Sequence, residues 1–185
     1  HINYTLSNKV SPVVVTAMEM LTEDMRDVTG ASLKRVQTGA RIRIVQLDKD
    51  KGSRKWLRTA GIDVDRLAQK KDAFHIKVHN GQLLVVGSDG RGTAYGILEL
   101  SRKAGVSPWI DWGDVTPQRK HYLVLNEQFE TLQHPSVEYR GVFINDEDWS
   151  TRVWDKQLVD AHSKSGIIGP RYYHRLFELL LRLRA

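Results

Sequence analysis

The sequence predicts an α+β domain over residues 1–130, a mixed β-sheet with helices on one face, followed over residues 137–185 by a single strand and helix. Three observations lead there. Two β-rich runs flank Asn80-Gly81, the strongest short-range hairpin signal, because both turn positions need positive φ. Two amphipathic segments, after Ser11-Pro12 and after the glycine-rich turn at 87–92, end on Gly30 and Gly105, where a helix stops. The short apolar run Val142-Phe143-Ile144 then leads directly into Asn145, Asp146, Glu147 and Asp148.

Composition sets the outer bounds. The chain has 185 residues, 41% hydrophobic and 27% charged, in the range of ordinary globular domains. No apolar run is long enough to span a bilayer, so no membrane partner is expected. There is no cysteine, which excludes disulfides and thiolate metal sites and leaves the compartment open. The net charge is +6, with basic residues gathered mildly at 49–58, 119–121 and 175–184. None of these tracts is interleaved with aromatics, so no nucleic-acid partner is expected and a solvated surface is the simpler reading. The chain starts at His1 rather than Met, which reads as a processed or trimmed start.

Taken in order, residues 2–6 form a short strand candidate. Ser11 and Pro12 place a capping hydroxyl and then a proline at a helix start. Val14, Met18, Leu21, Met25 and Val28 recur at three- and four-residue steps up to Gly30. Residues 41–47 partly alternate and predict a strand. Residues 48–55 read as a charged loop, and 56–71 is ambiguous, with one or two helical turns near 64–69. Phe74, Ile76 and Val78 alternate with His75, Lys77 and His79, and Leu83 to Val86 complete the hairpin. His75 and His79 share a face of their strand, and alternation alone explains their spacing. They are expected to be surface histidines, and no metal site is assigned.

The glycines of Gly87-Ser88-Asp89-Gly90-Arg91-Gly92 fall in the order Gly-x-x-Gly-x-Gly, not that of a dinucleotide fingerprint, and no phosphate-gripping Gly-Lys-Ser/Thr is present. They are expected to dock the following helix, over 91–104, closely on the sheet. Trp109 and Trp112 lie in a loop with Pro108, Asp111 and Asp114; such indoles suit sugar faces or wedge one domain against the next. Residues 122–125 read as a strand, and 126–136 as the domain boundary.

The run 142–144 admits two readings of equal standing. It is a buried parallel strand with chemistry at its carboxyl end, or Asn145 or Asp146 caps a following helix with Glu147 and Asp148 in its first turn. Gly169-Pro170 opens a last helix with Leu176, Phe177, Leu180 and Leu181 as its stripe. One strand and one helix cannot cover both faces of a parallel strand, so further chain is expected after Ala185.

Several blocks resemble the amino-terminal part of glycoside hydrolase family 115, the xylan α-1,2-glucuronidases. They are Asp24-Met-Arg-Asp-Val-Thr-Gly30, Gly87-Ser-Asp-Gly-Arg-Gly-Thr-Ala-Tyr-Gly-Ile-Leu-Glu-Leu100, Ala104-Gly-Val-Ser-Pro-Trp109, Pro135-Ser-Val-Glu-Tyr-Arg-Gly-Val-Phe-Ile-Asn-Asp-Glu-Asp-Trp149, and Phe177-Glu-Leu-Leu-Leu-Arg-Leu183. The 135–149 block is the most specific. The resemblance implies a pre-catalytic α+β domain followed by the first βα unit of a (β/α)8 barrel. It implies removal of glucuronic acid or its 4-O-methyl derivative from glucuronoxylan or xylo-oligosaccharides by inverting hydrolysis, with no cofactor. It further implies a secreted or periplasmic protein and a homodimer. On this reading Asp146 and Glu147 are the catalytic candidates, Asn145, Asp148 and Trp149 contact substrate, and Arg140, ahead of the strand, is structural at the bottom of the barrel. Inverting hydrolysis needs two carboxyl groups roughly 6.5–9.5 Å apart, so at most one of the pair lies on this strand end, and this chain alone is expected to be inactive. The competing reading is a non-catalytic carbohydrate-binding or interaction module built on Trp109, Trp112, Trp149 and Trp154.

Overall fold

The structure is a computed structural model that describes residues 1–145, 151–159 and 168–185. It divides into two compact units, 1–138 and 139–185.

The first unit is built on a six-stranded mixed sheet. Its strands are β1 (Ile2–Leu6), β2 (Leu33–Arg35), β3 (Ile42–Gln46), β4 (Phe74–His79), β5 (Gln82–Gly87) and β6 (Glu130–Gln133), in the order β2-β1-β3-β5-β4-β6. The first four in that order are parallel to one another; β4 runs antiparallel to both β5 and β6. The β4–β5 turn has φ of 50° at Asn80 and 72° at Gly81, the left-handed pair the dipeptide predicted.

Register sorts the side chains. Ile44 lies opposite Val85, which lies opposite Ile76, so these three share one face. That face receives the two long helices, α1 (Pro12–Thr29) and α4 (Gly90–Ala104), which pack against each other. α1 buries Val14, Met18, Leu21, Met25 and Val28, the predicted stripe. It starts after Ser11 and closes on Gly30 with φ 73°. Gln46 is fully buried and joins this layer to the sheet: its Oε1 accepts from Ser11 N at 2.8 Å and its Nε2 donates to Ser11 Oγ at 2.8 Å.

The opposite face is also covered, which corrects the expectation of helices on one face only. Val45, Leu84 and Val86 form a cluster there with Leu57, Ala60, Ile62, Val64 and Leu67 from two short helices, α2 (Arg54–Thr59) and α3 (Val64–Ala68), and the turn between them. A central strand buried on both sides shows no clean alternation, as 42–47 shows only a partial one.

Two further expectations give way. Residues 122–125 form no strand; Tyr122 and Val124 are each 77% exposed. The last strand among the described residues is β6, inside the stretch expected to be the boundary, because β4 has an open edge that Glu130–Gln133 pairs with.

In the second unit the described elements are α5 (Thr151–Trp154), continued by a π-helical turn Asp155–Val159, and α6 (Pro170–Leu183). α6 buries Tyr172, Leu176 and Leu179; Phe177, expected in the stripe, is 59% exposed.

Candidate functional site

The glycine-rich turn is a packing device. A Cβ at Gly87 would lie 2.2 Å from Thr93 N, one at Gly92 2.2 Å from the Ala73 carbonyl oxygen, and one at Gly96 2.9 Å from Val85 Cγ1. The amino end of α4 is already filled by the protein itself. Asp89 accepts from Gly92 N at 2.8 Å and from Asp72 N at 2.8 Å, so a carboxylate sits where a phosphate would. Asp72 is in turn held by a bidentate Arg91, with both contacts at 2.9 Å. Nucleotide binding at this turn therefore has no physical basis.

The histidine pair is corrected in part. His75 is 6% exposed, not a surface group, and its Nε2 lies 2.7 Å from Glu130 Oε1, with Lys77 Nζ 3.4 Å from the same oxygen. Burial holds the His75 pKa below its ordinary value, against the opposing pull of Glu130. For Glu130, burial pushes upward, and the hydrogen bond from His75 and the charge of Lys77 outweigh it, leaving the carboxyl below the usual range. Because β6 brings Glu130 to His75 from 55 residues away, no local pattern announces the pair.

Of the five site candidates, Asn145 alone is among the described residues, and it is exposed. Asp146, Glu147, Asp148 and Trp149 lie outside them. The run that leads to them is irregular and open: Val142 is 59% and Phe143 92% exposed, and residues 142–144 are not in a strand. A parallel strand needs a hydrogen-bonded neighbour, and this unit offers none among its described residues.

The rest of the unit frames that run. Arg140 Nε donates to the Arg184 carbonyl at 2.7 Å, closing the carboxyl end of α6 with a cation where the helix dipole favours one. At the other end of α6, Asp155 Oδ2 accepts from Gly169 N, the helix cap, at 3.1 Å. Asp155 is 3% exposed, and its Oδ1 has no hydrogen-bond partner among the described residues. Trp154 meets Tyr172 edge-on at 5.9 Å between ring centres. The sequence assigns no role to Asp155, since nothing near it is periodic and its partner is a glycine 14 residues on. Trp109 is 49% exposed and Trp112 half-buried in the first unit. Among the described residues no group of histidine and acidic side chains is placed to hold a metal ion.

Comparison with known proteins supplies what this geometry leaves open. The profile of glycosyl hydrolase family 115 matches residues 132–185, which include all five site candidates. No curated protein matches. Among solved structures, one described as the family GH115 4-O-methyl-α-glucuronidase BtGH115A, with specificity for decorated arabinogalactans, is similar over 100% of this chain at 44% identity, with a TM-score of 0.89. This chain spans 24% of that protein's length. The structure of CpGH84D is similar over 57% of this chain and 18% of its own, at 11% identity and a TM-score of 0.44. A GH138 enzyme targeting pectin rhamnogalacturonan II is similar over 73% of this chain and 12% of its own, at 17% identity and a TM-score of 0.42. The last two are too distant to bear on function. The profile match and the likeness at 44% identity over the whole of this chain agree, and the chain belongs to glycosyl hydrolase family 115.

Proposed function

We propose that this chain is the amino-terminal part of a glycoside hydrolase that releases glucuronic acid, or its 4-O-methyl derivative, from the side chains of a plant polysaccharide. The observation that carries the reading is the 44% identity over the whole chain to a 4-O-methyl-α-glucuronidase, with the family profile covering the acidic run. The first unit, with β6 as its edge strand, is the accessory domain. Residues 137–185 supply the first strand and helix of a (β/α)8 barrel, with Arg140 at its lower rim and residues 145–148 at its mouth.

On this reading one carboxyl group of an inverting pair, and no more than one, is Asp146 or Glu147. Adjacent residues on one strand end cannot stand on opposite sides of a sugar ring, so the second carboxyl comes from another strand of the full protein. One of the pair protonates the leaving oxygen while the other draws a proton from the attacking water. Asn145, Asp148 and Trp149 line the approach. The polymer backbone is open on this reading: glucuronoxylan is the expectation from the sequence, and decorated arabinogalactan is the substrate named for the relative. A polymer of either kind is met outside the cytoplasm, which supports a secreted or periplasmic setting.

The test is release of free 4-O-methylglucuronic acid from both polysaccharides by the full-length protein. The expected result is release from at least one, with a loss of several orders of magnitude in either Asp146→Asn or Glu147→Gln. Full activity in both variants would overturn the assignment of the carboxyl group to this run.

A further inference from the structure

The first unit carries a cationic surface that the proposed hydrolysis does not use. It is formed where the loop after β3 enters α2. Residues 43–55 carry Arg43, Lys49, Lys51, Arg54 and Lys55 against Asp48 and Asp50. Both carboxylates are engaged locally. Asp48 accepts from Gln46 Nε2 at 2.7 Å, and Asp50 accepts from Ser53 N at 3.0 Å and Ser53 Oγ at 2.8 Å.

Arg43 is held from below rather than swinging free. The Arg43 guanidinium lies 4.1 Å from the centre of the Trp56 ring, which itself packs against the core cluster, and its Nη2 donates weakly to Ser53 Oγ at 3.4 Å. Arg54 is half-buried, and its Nε is shielded from solvent without a hydrogen-bond partner among the described residues. A buried guanidinium N–H left unmade is costly unless something completes it. By contrast, the neighbouring Arg58 is already satisfied by Asp65 at 2.8 Å. Lys49, Lys51 and Lys55 are all exposed.

We propose that this surface is an exosite for the carboxylates of an acidic polysaccharide, holding uronate side chains away from the catalytic strand. A guanidinium fixed by stacking, as Arg43 is, suits a planar carboxylate, and the exposed lysines nearby in the chain add attraction that is not specific to position. A nucleic acid fits less well. Arg43 already covers the Trp56 ring, and no other aromatic residue lies between positions 43 and 56 for a base to stack on. The identity of the polyanion rests on the glucuronidase reading; the existence of the site does not.

The experiment uses this 185-residue chain in affinity electrophoresis through gels containing glucuronate-bearing arabinogalactan, its carboxyl-reduced form, or neither. The expected result is retardation by the acidic polymer only, weakened by salt and reduced at least tenfold in Arg54→Gln and in the Lys51→Glu/Lys55→Glu double variant. Lys34→Glu, a single charge reversal on exposed β2, larger than the charge lost in Arg54→Gln, is expected to leave retardation within twofold. Equal retardation by the carboxyl-reduced polymer, unchanged retardation in both patch variants, or an equal loss in Lys34→Glu each overturns the proposal. So does equal affinity for a DNA oligonucleotide, measured in parallel by fluorescence anisotropy. Circular dichroism confirms that each variant folds; if Arg54→Gln does not, the lysine double variant decides. Glucuronic acid release by the full-length protein is scored separately, so a missing exosite and a wrong activity give different results.

Discussion

The two units treat their apolar strand-like runs in opposite ways. In the first, Ile44, Val45, Val85 and Val86 are at most 2% exposed, each in a strand with a neighbour on both sides and helices above and below. In the second, Val142 and Phe143 are 59% and 92% exposed, and the run is not in a strand. Both runs are short, apolar and rich in β-branched or aromatic residues. What separates them is supply of partners: a strand is stable only where its backbone groups and both faces are met.

Four measurements break or sharpen that contrast, beginning with the largest effect. Gly92→Ala drives a Cβ to 2.2 Å from the Ala73 carbonyl oxygen, a backbone atom that cannot swing aside. It is expected to cost about 3 kcal/mol in urea unfolding of this chain. A change under about 1 kcal/mol would mean that the α4–sheet contact is looser than the structure has it.

Asp155→Ala removes the carboxylate that accepts from Gly169 N at the start of α6. A loss of about 1 kcal/mol in the stability of the second unit is expected, seen as earlier melting of its helical signal. No change would show that α6 holds its cap without this side chain.

His75 ties the first unit's stability to pH. Burial lowers its folded pKa below the ordinary 6.5, so the folded state binds fewer protons than the unfolded one. That contribution is complete above about 6.5 and is lost as the pH falls below it toward the folded value. The urea midpoint is therefore expected to drop between about pH 7 and 5.5, and His75→Gln is expected to flatten that drop. An equally steep drop in the variant would assign it to other groups.

The smallest effect probes the open run itself. Phe143→Asp is expected to shift the stability of this chain by no more than about 0.5 kcal/mol, as exposed substitutions do. In the full-length protein the same change is expected to cost about 3 kcal/mol or more, because the proposed barrel buries that position. Equal, small effects in both would argue against a barrel strand there.

Much of the first unit is legible in its residues alone. Pro12 and Gly30 mark α1 to the residue, and Asn80-Gly81 marks the hairpin, because helix ends and turns depend on local backbone chemistry; the Ser11 hydroxyl, expected to cap α1, makes no cap hydrogen bond and accepts from Gln46 instead. The close-packing role of Gly87 and Gly92 follows from glycine order. Other parts are not legible. β6 is hidden in a polar stretch because its place is set by the open edge of β4, far away in sequence. The run 122–125 has a strand's composition, yet it pairs with none of the strands of the sheet. His75 has the pattern of an outward member of an alternating pair, and Glu130 and the packing around it make it a buried one.

The candidate site shows the same division. The order of Asn145, Asp146, Glu147 and Asp148 after an apolar run offers a candidate locus without choosing between a strand end and a helix cap, and the blocks around it resemble a family. The Arg43–Trp56 stack and the shielded Arg54 Nε are not readable, since the stack joins residues 13 apart through a turn. The sequence by itself determined where helices begin and end, where the chain turns, and which family it resembles, because those are properties of neighbouring residues. Only the tertiary structure decided which apolar runs become strands and which charged side chains are held. Both depend on partners that the fold brings together from far along the chain.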